Sequence, residues 1–110
     1  MAKSELDVAT RALRLIAVAD VSEDPSAEDA LVATETYAAL LEELSEDHGM
    51  AFEWAASATP DRLWLNLAGL VAERIAPIFG RAYDGRRDMA RLRAQVFPDD
   101  RVEPVQVEHF

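Results

Sequence analysis

Residues 59–81 read TPDRLWLNLAGLVAERIAPIFGR, and the spacing of their apolar side chains decides the fold. On a helix, Leu63, Leu67, Leu70, Val71, Ile75 and Ile78 fall on one face at intervals of three and four residues, the mark of a buried stripe. Trp64, Ala68, Ala72 and Ala76 form a second flank, small enough at the alanines for a neighbouring helix to come close. Only the strip Arg62, Asn66, Gly69 and Glu73 is left to face water. A helix apolar round most of its circumference has to be wrapped by others, so this one is predicted to be the central helix of a small bundle. Thr59 is the expected N-cap, with Pro60 at the first helical position, where a missing N–H costs nothing. Pro77 crowds the carbonyl of Glu73 and Gly80 follows, so the helix kinks or stops there.

The flanking chain supplies three more helices. Ser4 followed by Asp7 is a variant of the capping box, which places a first helix over residues 5–17 with Leu6, Ala9, Leu13 and Ile16 inward and Val8, Ala12 and Leu15 widening the stripe. After the polar turn VADVSEDPS, either Asp24 caps the second helix with Pro25 at its first position, or Ser26 caps it with Asp29 reaching back. That helix runs over 25–48 on Ala30, Leu31, Thr34, Tyr37, Ala38, Leu41 and Leu44, and His48-Gly49 stops it. In MAFEWAAS, residues 50–57, Phe52 and Trp54 alternate with Ala51 and Glu53, which predicts an extended crossover pinning two aromatics to the bundle. Asp84 is the expected cap of a fourth helix over 84–96, with Met89, Leu92 and Val96 inward and Arg86, Arg87, Arg91 and Arg93 mostly outward. The fold class is therefore all-α, a small four-helix bundle formed by residues 1–96. Residues 97–110 carry Pro98 and Pro104 and no helical period, and are read as an extended C-terminal arm.

One domain is what 110 residues allow, with a core that buries about 65% of the unfolded chain's surface. Half the residues are hydrophobic, which suits a folded globule. The absence of cysteine excludes disulfides, thiol chemistry and cysteine-ligated zinc. No apolar run approaches the ~20 residues of a bilayer span, and the start has no signal-peptide core, so a soluble protein made in the cytoplasm, without membrane contact, is expected.

Catalytic chemistry has little to stand on. His48 and His109 are the only histidines and have no metal-ligand spacing; His48 reads as a helix C-terminal residue, where its charge suits the helix dipole. The four glycines are scattered, so no phosphate-cradling loop exists, and Ser4, Ser22, Ser26, Ser45 and Ser57 lack a nucleophile-elbow context. A non-enzymatic protein without cofactor or metal is expected.

The net charge of −10 is distributed unevenly: residues 1–61 carry fourteen acids against Lys3, Arg11 and Arg14, while residues 62–110 carry seven acids and eight arginines. An acidic chain releases no counterions from DNA and binds it poorly. Glu42, Glu43, Glu46 and Asp47 crowd the last turns of a helix, against its dipole, which costs roughly 0.3–1 kcal/mol per exposed charge. A solvated helix face explains them without function. The functional reading is that they meet Arg86, Arg87, Arg91 and Arg93 of another copy, since acid on one side and arginine on another suits head-to-tail association into a closed ring.

Taken in order, ELDVATRALRLIAV, DPSAEDALVATETYAALLEEL, the aromatic crossover ending at Trp54, TPDRLWLNLAGLVAERIAPIFGR and a terminal arm resemble the small helical head-to-tail adaptor (connector) proteins of tailed bacteriophages and related gene transfer agents. The resemblance spans essentially the whole chain and rests on a hydrophobic pattern, not on a catalytic motif. It implies a virion protein of the head–tail junction, synthesised in the host cytoplasm, of which about twelve copies form a ring under the portal protein. Such a ring extends the DNA channel, helps retain the genome, and offers a platform to a nozzle or stopper protein. It also implies that the arm binds the portal through Phe97, Pro98, Arg101, Val102, Val105, Val107 and Phe110. Fourteen extended residues reach at most about 46 Å. Carboxylates lining a channel repel phosphates, so DNA passes without specific binding. The rival reading is an acidic helical regulator, antitoxin-like or a DNA mimic, that binds a basic partner and forms no ring; a third is a generic helical module of a cellular complex.

Overall fold

Ser4 starts the first helix as its sequence predicts. In the computed structural model, which describes residues 2–97, the Ser4 hydroxyl accepts the Asp7 N–H at 3.1 Å and the Asp7 carboxylate accepts the Ser4 N–H at 2.9 Å. Helix α1 (Glu5–Leu15) ends two residues earlier than the expected Ala17, because Ala17 turns into the left-handed region at φ 60°. Its N–H bonds the Arg14 carbonyl and the Val18 N–H bonds the Leu13 carbonyl, the paired closure of a Schellman motif. Of the two possible caps for α2 (Ala27–Asp47), Ser26 is used, its hydroxyl accepting the Asp29 N–H at 3.1 Å. His48 is the C-cap, and Gly49 at φ 67° lets the Met50 N–H return to the Leu44 carbonyl.

The crossover alternates as expected: Phe52 and Trp54 pack half-buried against the core, their ring centroids 4.9 Å apart, while Ala51 and Glu53 are exposed. A short 3-10 turn, Ala56–Ala58, then delivers Thr59. Thr59 does not cap α3 (Asp61–Ile75); Pro60 holds the N-cap position, with no side-chain hydrogen bond. Thr59 is instead fully buried, its hydroxyl 2.6 Å from the Tyr37 hydroxyl and donating to the Ala56 carbonyl. Its backbone exchanges hydrogen bonds with Lys3 at 2.8 and 2.9 Å, an isolated antiparallel bridge that fastens the start of the chain to the crossover. Among the described residues there is no strand.

Pro77 ends α3 and tightens the chain into a 3-10 turn, Ala76–Phe79, closed by Gly80 at φ 69°. Ile78, expected on the buried stripe, is 64% exposed, since the change of helical period beyond Ile75 turns it out of line. The fourth helix, α4 (Arg86–Val96), starts after Gly85; Asp84 lies one residue further out and accepts the Arg86 N–H at 3.0 Å.

The fold is all-α, a small helical bundle in which α1, α2 and α3 pack on one another and α4 touches α3 alone. Helix α3 is the one element that meets the other three, and Leu63, Leu67, Ala68, Leu70, Val71, Ala72 and Ile75 are all buried. The strip expected to face water is where α4 sits. Gly69 is buried beneath Asp88, the Glu73 carboxylate accepts the Gly85 N–H at 3.1 Å, and Asn66 donates to Gln95, which donates in turn to the Arg62 carbonyl. Leu92 is fully buried there, with Met89 and Val96 half-buried.

Two other faces differ from expectation. Helix α2 buries Ala33, Tyr37, Leu40 and Leu44, whereas Leu31 and Ala38 are exposed and Ala30, Thr34 and Leu41 lie at the edge. So many positions of this helix are apolar that the 3.6-residue period does not single out one stripe, and packing against both α1 and α3 selects the face. Leu6 of α1, expected inward, is 54% exposed.

Candidate functional site

The acidic end of α2 and the arginine face of α4 are the two surfaces on which the sequence points to assembly. Within one chain they do not meet, because α2 and α4 make no contact and both pack on α3. Glu42, Glu46 and Asp47 are exposed. Glu43 has a partner in its own chain: Arg74, one α-helical residue from the end of α3, forks both guanidinium nitrogens onto its two carboxylate oxygens. That hydrogen bond is the main cause holding the Glu43 carboxyl below its ordinary pKa and raising that of Arg74. With both side chains more than a third exposed, the pair is worth no more than about 1 kcal/mol.

On α4, Arg86 is similarly occupied. Its guanidinium and backbone N–H both bond Asp84, and the side-chain contact above all lowers the Asp84 carboxyl to about 2. Arg93 stands over the Phe97 ring at 5.4 Å. Arg87 and Arg91 flank a shallow hollow shared with Tyr83 and Asp88 and, among the described residues, form no ion pair. Of the eight charged residues expected between subunits, the uncommitted ones are thus Glu42, Glu46 and Asp47 on one side and Arg87 and Arg91 on the other.

Tyr83 donates to Asp88 at 2.9 Å, and burial, with that bond, raises its phenol above the ordinary value. Phe97 is the C-cap of α4 and half-buried against the core; Pro98, Arg101, Val102, Val105, Val107 and Phe110 of the expected portal-binding arm lie outside the described residues. Among the described residues no group of three histidine, aspartate or glutamate side chains is arranged to hold a metal ion. Among the same residues, no helix is long and apolar enough to cross a membrane.

No family model, curated protein or solved structure matches this chain. What the chain offers are its own surfaces. One of these escaped the sequence reading: a groove along α1 lined by Lys3, Leu6, Arg11, Arg14 and Val21, with Trp64 of α3. Part of the signal was in the spacing, since Arg11 and Arg14 stand three apart on α1, but Lys3 precedes the helix cap and reaches the groove through its backbone bridge to Thr59.

Proposed function

We propose that this chain is a subunit of a head-to-tail adaptor ring of a tailed phage or gene transfer agent, in which about twelve copies bind the portal protein, extend the DNA channel and carry the next tail component. The observation that carries the reading is the placement of uncompensated charge. Glu42, Glu46 and Asp47 end one helix, Arg87 and Arg91 project from another, and α3 separates the two. A subunit with complementary patches on different sides is suited to heterologous contacts, which close into a ring when the rotation permits. The resemblance in helix order and hydrophobic pattern supplies the biological setting, and the arm 97–110 supplies a portal-binding segment.

Native mass measurement of the purified chain, alone and with portal protein, tests the reading. A cyclic species of adaptor copies seated on the portal supports it, and a chain that stays small and ignores the portal overturns it.

The second reading, an acidic regulator of a basic partner, is favoured by the exposure of Glu42, Glu46 and Asp47 in consecutive turns. It requires that the chain remain small while competing with DNA for a basic protein, which a competition binding assay measures.

A further inference from the structure

All three cations of the first 61 residues, Lys3, Arg11 and Arg14, line a single groove of about 480 Å³ on the outer face of α1. Its floor and walls are partly apolar: Leu6 and Val21 are 54% and 80% exposed, and Trp64 is half-buried beneath the Lys3 ammonium, 4.8 Å from its ring centroid. Arg14 is fixed, donating to the Asp20 and Glu23 carbonyls, whereas Arg11 has no ion pair among the described residues. Two carboxylates also line the groove. Asp7 is taken up by the Ser4 N–H, and Asp24 is contributed by the α1–α2 connection. A cationic, apolar groove in a chain of net charge −10 fits an extended segment that alternates carboxylates with aliphatic side chains.

The chain contains such a segment. Residues 98–110, PDDRVEPVQVEHF, carry Asp99, Asp100, Glu103 and Glu108 against Arg101, interleaved with Val102, Val105, Val107 and Phe110. It also begins within reach. The last turn of α4 lies on the first turn of α3, where Gln95 donates to the Arg62 carbonyl at 3.0 Å. Trp64, on the opposite side of that same turn, is a wall of the groove, about one helix diameter (~10 Å) away. Thirteen residues reach at most about 43 Å, against about 16 Å for the whole of α1.

We propose that residues 98–110 dock into the α1 groove of their own chain, with carboxylates on Lys3 and Arg11 and valines over Leu6, Val21 and Trp64. The proposal stands whether or not the chain meets a portal; on the adaptor reading, the portal and the groove compete for the same residues.

Because the chain has no cysteine, Val107→Cys provides a unique attachment point for a nitroxide label on the full-length protein. In the amide NMR spectrum, the label should at least halve the intensities of residues in the Lys3–Arg14 stretch and of the Trp64 indole N–H. Arg11→Glu or Leu6→Glu, both at exposed positions, should restore those intensities while the rest of the spectrum reports an intact fold. Intensities in the groove unaffected by the label, or unaltered by both substitutions, overturn the proposal. So does broadening seen only when nitroxide and isotope reside on different molecules, which assigns the groove to a second copy.

Discussion

Asp88 of α4 lies directly across Gly69 of α3: a Cβ built on Gly69 would fall 2.3 Å from one carboxylate oxygen of Asp88 and 2.7 Å from the other. The missing side chain is what lets the two helices approach. Gly69→Ala forces Asp88 to swing away and give up its hydrogen bond from Tyr83, a loss of roughly 1–3 kcal/mol against about 1 kcal/mol gained in helix propensity. In an Asp88→Ala background the overlap is gone, and the same substitution should stabilise by about 1 kcal/mol. Chemical denaturation of the four proteins of this cycle checks the change of sign.

The buried Tyr37–Thr59 hydrogen bond should be asymmetric under mutation. Tyr37→Phe leaves the Thr59 hydroxyl still donating to the Ala56 carbonyl, while Thr59→Val strands the Tyr37 hydroxyl in the core. Thr59→Val should therefore cost more, about 1–3 kcal/mol against about 1 kcal/mol. Thermal melts order the two.

Burial, partly offset by the hydrogen bond shared with Thr59, pushes the Tyr37 phenol up to about 12. Its folded pKa thus exceeds the unfolded value of 10.0, so the native state holds the proton longer. This contribution to stability is fully present below pH 10 and is lost as the pH rises to about 12. Tyr83, raised in the same direction, adds to the loss. Tyr37→Phe should flatten most of this alkaline slope, as denaturant midpoints measured from pH 9 to 12 would show.

Ala17, at φ 60°, occupies a backbone conformation that disfavours any side chain. Ala17→Gly removes a strain of about 1–2 kcal/mol and adds about 0.5–1 kcal/mol of unfolded-chain entropy, so a gain of roughly 0.5 kcal/mol is expected. A small rise in the denaturation midpoint with an unchanged slope is the expected result.

Ring contacts, on the adaptor reading, should respond to clustered charge. Arg87→Glu with Arg91→Glu should weaken assembly, and adding Glu46→Arg with Asp47→Arg should partly restore it. Glu43 is left untouched, because its reversal would face Arg74 in the same chain. Sedimentation in low and moderate salt measures the effect; no recovery on double reversal rejects this pairing.

Much of the bundle was legible because the responsible signals are local. Ser4 with Asp7, the alternation of Phe52 and Trp54, and the inward set Met89, Leu92 and Val96 each involve residues within a turn or two of one another, whereas Ser26 was one of two caps the pattern left open. The failures share the opposite property. Gly69 and Glu73 read as a wet strip because a glycine and a carboxylate reveal nothing of the helix that will cover them; only Asp88 and the Gly85 N–H, twelve or more positions away, give them their roles. Thr59 has the chemistry of a cap, but a buried phenol from α2 claims its hydroxyl. Alanine carries no sign of a left-handed turn, so the end of α1 was set two residues late. For the charged surfaces, the sequence located the arginines and the acids but not their commitments, since Arg74 and Glu43 are thirty-one residues apart.

Because α4 leans on α3 and on no other helix, the molecule has two levels of cohesion. Separating α4 exposes Leu92 and the α3 strip around Gly69 and breaks a handful of polar contacts, while the contacts of α1, α2 and α3 with one another are kept. Amide protons of Arg86–Val96 should then exchange with deuterium through a partial opening, well before those of α1, α2 and α3, which wait for the whole chain to come apart. The helix that carries Arg87 and Arg91 is in this sense the outermost storey of the molecule, fastened to the rest through a single neighbour.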